Sequence, residues 1–196
     1  MMFKKLLIGT FVFFFMFSGF EIQQAHAAKV KGFDFKPGDI LVTSSTQGGS
    51  GVTGHAGIVL PDGKNIAHIR TKGATATSIS ISEWINTAYP KTVVVRGNST
   101  TNAKKAAKYA LDYWVEGKGK NTSYRITSNP KDQSYVYCSE LVWQSYYYGA
   151  GFAYKVPAAN IFGSKIPEII HPYNFSTSMP QKLNKFSTVK SFNGGL

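Results

Sequence analysis

The chain has no second cysteine. Its one thiol, Cys138, cannot close a disulfide within the molecule, which leaves it as a packed small hydrophobe, an intermolecular bridge or a nucleophile. Acidic residues are also scarce: 10 Asp and Glu stand against 22 Lys and Arg, for a formal charge of +12. So few carboxylates make the paired acids of a glycosidase hard to assemble. No glycine-rich phosphate loop occurs, because Gly48-Gly-Ser-Gly51 lacks the lysine and helix that would follow it. Ser139 is not set in a Gly-x-Ser-x-Gly elbow, which disfavours a serine hydrolase. His55, His68 and His171 with Asp39 or Asp62 are zinc ligands by type, yet no pair has a tight spacing such as His-x-x-x-His. No metal or other cofactor is expected.

Long apolar runs are missing after residue 20. Before it, Lys4 and Lys5 precede an apolar stretch from Leu6 to Phe20, and Ala25-His-Ala27 supplies the small residues of a cleavage site. This is the layout of a signal peptide over 1–27, and the apolar run is short for a membrane span. The remainder, 28–196, is expected to form a single domain, monomeric, secreted or cell-wall associated, and long enough to bury a core without disulfides. Its basic surface would be drawn to anionic wall polymers or a membrane surface. Nucleic acid is not an expected partner, since export separates the protein from most of it and no arginine-rich stripe or binding motif appears.

What is present reads as strands followed by helices. Asp39 to Thr43 forms a short strand, and Ser44 to Gly54, rich in Ser, Thr and Gly, reads as a loop. His55 to Leu60 and Asn65 to Ile69 alternate apolar residues around Pro61-Asp-Gly-Lys64, which predicts a β-hairpin. Thr77 to Ile81 and Thr92 to Arg96 are further strands, with a helical turn between them capped by Ser82. Asn102 is expected to cap a helix whose Ala103, Ala106, Ala107, Ala110, Leu111 and Trp114 share a face. A short strand is expected at Tyr124 to Ile126. A second helix is expected from near Ser134 to Gly149, with Cys138 in its first turn, where the helix N-terminus favours thiolate. The proline-rich tail from Val156 reads as loop, with one short helix at Pro167 to Ile170. The order points to an α+β fold with an antiparallel sheet.

Thiol hydrolysis needs a thiolate, a base to take and return its proton, and a group that holds the base. Cys138 is the one candidate nucleophile. His55 opens a strand and is followed by the small Ala56 and Gly57, which leave room for close approach. His68 lies across the hairpin, near enough to fix the tautomer of His55 if both rings face one side. The inert alternative is a core cysteine beside two satisfied strand histidines.

Pro37-Gly-Asp-Ile40, Gly54-His-Ala-Gly-Ile-Val59 and Tyr137-Cys-Ser-Glu-Leu-Val-Trp143 together resemble the circularly permuted, YiiX-like branch of the NlpC-type papain-like amidases and cysteine peptidases. The resemblance runs from about Phe33 to Leu183. It implies a permuted papain-like core, a small antiparallel sheet packed against helices, with Cys138 as nucleophile and His55 as base. The third polar position maps near His68, with Ala67 competing for the aligned place and Glu83 as a fallback. Glu140 is expected to be structural. The oxyanion would rest on the Cys138 N–H and a tyrosine hydroxyl, Tyr137 being adjacent, with Gly54 and the loop before it lining the cleft.

Three functions follow as expectations. The first is a cysteine amidase or peptidase cleaving an amide bond in a cell-wall peptide or related small peptide. The second is a lipid-ester hydrolase or acyltransferase, since lecithin:retinol acyltransferase-like proteins use the same permuted core. The third is a non-catalytic binding module with an inert thiol.

Overall fold

The computed structural model describes residues 29–45, 54–158 and 163–196. The expected signal peptide and most of the loop before Gly54 lie outside these residues.

Six strands form one antiparallel sheet in the order β10-β7-β3-β4-β5-β6. They are β3 (Ile40–Thr43), β4 (His55–Val59), β5 (Asn65–His68), β6 (Thr77–Ser80), β7 (Thr92–Gly97) and β10 (Phe186–Phe192). Two short ribbons, β1 (Lys29–Val30) with β2 (Phe33–Asp34) and β8 (Val156–Pro157) with β9 (Ser164–Lys165), stand apart from it. The pleat sorts side chains onto two faces. Ile40, Val42, Ala56, Ile58, Ala67, Val93 and Val95 join one core. Leu41, Val59, Ile66 and Val94 join the other. The α+β, antiparallel expectation therefore describes the fold.

The first face is covered by α2 (Thr100–Tyr109), which continues as a wider π turn to Val115, and by α3 (Cys138–Ala150). The second is covered by α1 (Ile81–Glu83) and the π turn Trp84–Ala88, which bring Ile81, Trp84, Ile85 and Tyr89 against the sheet. Arg96 on β7 clamps the buried Asp39 through two bonds of 2.7 Å, fixing the approach to β3.

Several boundaries differ from the sequence reading. Ser80, not Ser82, caps α1 by accepting the Glu83 N–H at 3.1 Å. Ser99, not Asn102, caps α2, whose N–H at Asn102 is the one it accepts. Helix α3 starts at Cys138 rather than near Ser134, because Val136 is held extended in a parallel bridge to Tyr124. No helix forms at Pro167 to Ile170. Instead the tail supplies a 3-10 turn at Pro172–Asn174, α4 (Ser178–Asn184) and the edge strand β10. That strand is largely exposed, so it lacks the apolar alternation by which a strand is read.

Candidate active site

The site begins where the hairpin opens. β4 and β5 pair only at Ile58–Ala67 and Val59–Ile66, so the ladder ends before His55. There the two imidazoles meet, with His55 Nε2 and His68 Nδ1 3.0 Å apart and both rings buried. Ala67, the alternative to His68, falls on the opposite face by alternation and packs into the helix-side core. Glu83, the fallback, is exposed and lines a polar cavity of about 200 Å³ outside His68, together with Arg70 and Tyr89.

An aromatic floor fixes the pair. His55 stacks on Trp84 at 5.3 Å between centroids and leans on Tyr89 at 4.9 Å. The Trp84 Nε1–H donates to Thr92 Oγ1 at 3.1 Å, and that hydroxyl donates to the Tyr89 carbonyl at 2.6 Å. Thr92 thereby ties the Trp84 indole to the Tyr89 backbone. Gly57 makes the floor possible, since a Cβ there would sit 2.5 Å from Ile66 and 3.0 Å from Trp84. The room it leaves is filled by the protein's own side chains rather than kept for a substrate. Arg70 bonds the Tyr89 hydroxyl at the rim.

Cys138 enters from the helix side. It is the first residue of α3, and Tyr137 before it is extended. The sulfur takes the backbone N–H of Ala56, the residue after His55. The thiol also lies 3.9 Å from Ser139 Oγ, whose own hydrogen goes to the Ile170 carbonyl at 2.6 Å. The Tyr124 hydroxyl lies close enough to the sulfur to interact with it, and its pKa is pushed up to about 12, mainly by burial. Tyr124 is a site residue that the sequence reading missed. It lies in an irregular stretch, and the bridge to Val136 that aims it has no local signature.

Electrostatics keep the resting groups neutral. Burial pushes the Cys138 thiol up, against the pull of the Ala56 N–H, the Ser139 side chain and N–H, and its own N–H. The helix N-terminus favours thiolate as expected, but desolvation outweighs it. Burial, then His68 and Arg70, hold His55 well below the usual 6.5. Burial and Arg70 bring His68 down to about 4. Near pH 7 both rings are uncharged, so one ring N–H donates to the other ring's lone pair.

Tyr137 and Gly54 sit beside these groups in scaffolding contacts. The Tyr137 hydroxyl accepts the Ile170 N–H at 2.7 Å, which straps the 163–170 segment across the start of α3. Gly54 is left-handed at φ +64°, with the Tyr173 ring against the place of its missing Cβ. Glu140 is fully buried. Burial raises its pKa to about 8, while the Tyr137 N–H pulls the other way. Glu140 Oε2 and Gln144 Oε1 are without hydrogen-bond partners. Among the described residues no cluster of His, Cys, Asp and Glu is arranged to hold a metal. Asp39 is paired with Arg96, and Asp62 caps the hairpin turn through the N–H groups of Lys64 and Asn65.

Comparison with known proteins gives three findings. Residues 3–182 match the family model described as lipoprotein N-acylation protein, LnsA-like. An uncharacterized 30.3 kDa protein of Bacillus thuringiensis is 34% identical over 128 residues, covering 61% of this chain and 47% of that protein. The chain thus spans about half the length of that relative. The metalloprotein yiiX of Escherichia coli O157:H7 aligns in structure with a TM-score of 0.47 and 21% identity, over 63% of this chain and 71% of that one.

Proposed function

The chain belongs to the LnsA-like lipoprotein N-acylation family, and from that premise we propose that it is an extracytoplasmic thiol acyltransferase. Cys138 takes an acyl group from a lipid ester and passes it to an amine. The family match favours this reading over the wall amidase that the sequence motifs put first. The observation that carries it is the buried, neutral His55–His68 pair on the hairpin whose Ala56 N–H meets the thiol at the start of α3. A histidine strand preceding a cysteine helix also supports a permuted papain-like core.

In the proposed reaction, Nε2 of His55 is committed to His68, so Nδ1 serves the sulfur at the open end of the ladder. As Sγ attacks the ester carbonyl, its proton moves to Nδ1. The oxyanion takes hydrogen bonds from the Cys138 N–H and the Tyr124 hydroxyl. Collapse of the adduct breaks the ester C–O bond, and the departing alcohol takes the proton from His55. The acyl-thioester then meets an amine, which loses a proton to His55 as its nitrogen forms the amide, and His55 passes that proton to the departing sulfur. A neutral resting pair suits this cycle, because no buried charge persists between turnovers.

The test offers phospholipid vesicles and a peptide with a free N-terminal amine to the wild type and to Cys138→Ala. Mass spectrometry of the wild type should find an acyl group on Cys138 that hydroxylamine removes. Amide formation should fall by about 10⁴-fold or more in the variant. Full activity in Cys138→Ala rejects the thiol mechanism. Cleavage of wall peptides with no lipid acyl group transferred to Cys138 returns the amidase reading to first place.

A further inference from the structure

The cavity outside His68 holds more polar chemistry than the proposed reaction uses. It measures about 200 Å³, and its walls include His68, Arg70, Thr77, Ser78, Glu83 and Tyr89. The sheet builds it: His68 ends β5, and its register partner on the edge strand β6 is Thr77. Arg70 follows two residues later and bonds the Tyr89 hydroxyl. The Tyr89 ring in turn packs on both imidazoles, its centre 4.9 Å from that of His55 and 6.2 Å from that of His68. A cavity this small lies below the range of about 300–1,000 Å³ that takes a drug-sized ligand, so it suits a small polar group rather than an acyl chain.

Of the two opposite charges in the wall, Arg70 is the one that lowers both imidazoles. Nδ1 of His68 is taken by His55, so Nε2 is the polar atom that His68 has left to offer the cavity. How the pair is protonated then depends on what Nε2 faces. A cation draws a lone pair to Nε2. His68 Nδ1–H then donates to His55 Nε2, and the single proton of neutral His55 sits on Nδ1, where it blocks uptake of the thiol proton. An anion draws the N–H to Nε2 instead. His55 Nε2–H then donates to His68 Nδ1, and His55 Nδ1 carries a lone pair.

We propose that the cavity takes a phosphate group between Arg70 and His68, and that this occupant commits the pair to the tautomer in which His55 Nδ1 is open to the thiol proton. This deepens the acyl-transfer reading and rests on it, since that reading gives the thiol proton to Nδ1. A guanidinium meets phosphate oxygens two at a time. A tetrahedral anion also offers acceptors in several directions, which suits polar groups arriving from β5, β6 and the π turn better than a planar carboxylate does. A lipid headgroup and the free ion share this chemistry. In the larger cavity of about 410 Å³ beside Lys36 and Lys104, by contrast, the guanidinium of Arg96 is bonded twice to Asp39.

The test titrates inorganic phosphate, and in parallel glycerophosphoglycerol, into the protein near neutral pH, while imidazole nitrogen NMR reports which ring nitrogens carry protons. At least one of the two should drive a saturable change that leaves Nε2 of both rings protonated and Nδ1 of both bare. Sodium chloride at equal ionic strength should not. A response to the diester assigns the site to a lipid headgroup, and a response to inorganic phosphate alone assigns it to the free ion. Arg70→Gln should raise the half-saturating concentration about tenfold or more. Glu83→Gln removes a like charge and should lower it about threefold. Lys104→Gln, on the wall of the larger cavity, should leave it unchanged. No change of tautomer with either ligand, or an equal change at equal concentration in Arg70→Gln, overturns the anion site. So does weaker binding in Glu83→Gln, which would mark the occupant as a cation. A phosphate-dependent tautomer in a protein whose Cys138→Ala variant keeps full acyl transfer overturns the acyl-transfer reading and leaves the anion site standing.

Discussion

The two faces of the sheet receive alternate residues of the same strands, yet they are held by different means. On the side of α2 and α3, the strands bury Ile40, Val42, Ile58 and Val95 under helices, and shape and area do the work. On the other side, His55, His68 and Thr92 are buried among Trp84 and Tyr89. Polar groups there are tolerated only because each is paired: imidazole to imidazole, indole to hydroxyl, hydroxyl to carbonyl. An aliphatic face accepts many side chains of similar volume. A face built on paired polar groups accepts few, because a partner lost inside it leaves about 1–3 kcal/mol of unmet desolvation. The thiol packs with the first face, and its sulfur meets the backbone N–H of Ala56, the residue after His55.

Breaking the polar face should have the largest effect. In His68→Ala, the Nε2 of His55 loses its partner in an apolar setting and its ring loses its orientation. We expect kcat/KM on a soluble ester to fall by about a hundredfold, and the urea midpoint to drop by the equivalent of about 1–3 kcal/mol. His68→Asn, which restores a hydrogen-bonding group, should recover part of the rate. Wild-type kinetics in His68→Ala would remove His68 from the mechanism.

The helix side gives a smaller effect. Tyr124→Phe removes the hydroxyl beside the sulfur and leaves the aromatic floor untouched. The rate should fall by about thirtyfold with little change in stability. Iodoacetamide labelling of Cys138 should also slow at a given pH, because a thiolate that loses this neighbouring hydroxyl forms less readily. Unchanged labelling would place the hydroxyl outside the reach of the sulfur in solution.

How much of this was legible beforehand also divides by face. Cys138, His55 and His68 stand out because their residue types are rare here and the hairpin turn at Pro61 to Lys64 fixes their approximate register. The strand pattern likewise separates inward from outward residues at β3, β4 and β7. The aromatic floor was not legible. Trp84 reads as part of a short helical turn, and its role depends on the space at Gly57 and on Thr92, which comes from a different strand. Tyr124 and the strap at Ile170 depend on contacts 14 and 31 residues apart that carry no period. β10 escaped for a related reason, since an exposed edge strand shows no alternation.

The smallest expected signal sets the two faces against each other through pH. His55 and His68 have folded pKa values below the unfolded 6.5. Their contribution to stability is complete above pH 6.5 and is lost as pH falls through their folded values, because the unfolded chain takes up protons that the folded one refuses. Glu140, behind the thiol on the helix side, has the opposite shift, from 4.5 to about 8. Its contribution is complete below 4.5 and is lost as pH rises toward 8, because the folded state keeps a proton that the unfolded chain has released. Two imidazoles outweigh one carboxyl on the acid side, and only the carboxyl acts between 6.5 and 8. Stability should therefore peak close to pH 6.5, with a decline above it no steeper than about 1.4 kcal/mol per pH unit. Urea unfolding from about pH 5 to about pH 9 measures the curve. Glu140→Gln keeps a neutral side chain of the same shape and should flatten the alkaline limb while leaving the acid limb in place. A decline that persists unchanged in that variant would mean that Glu140 is ionised in the folded protein, and the helix side would then bury a charge that the aromatic side does not.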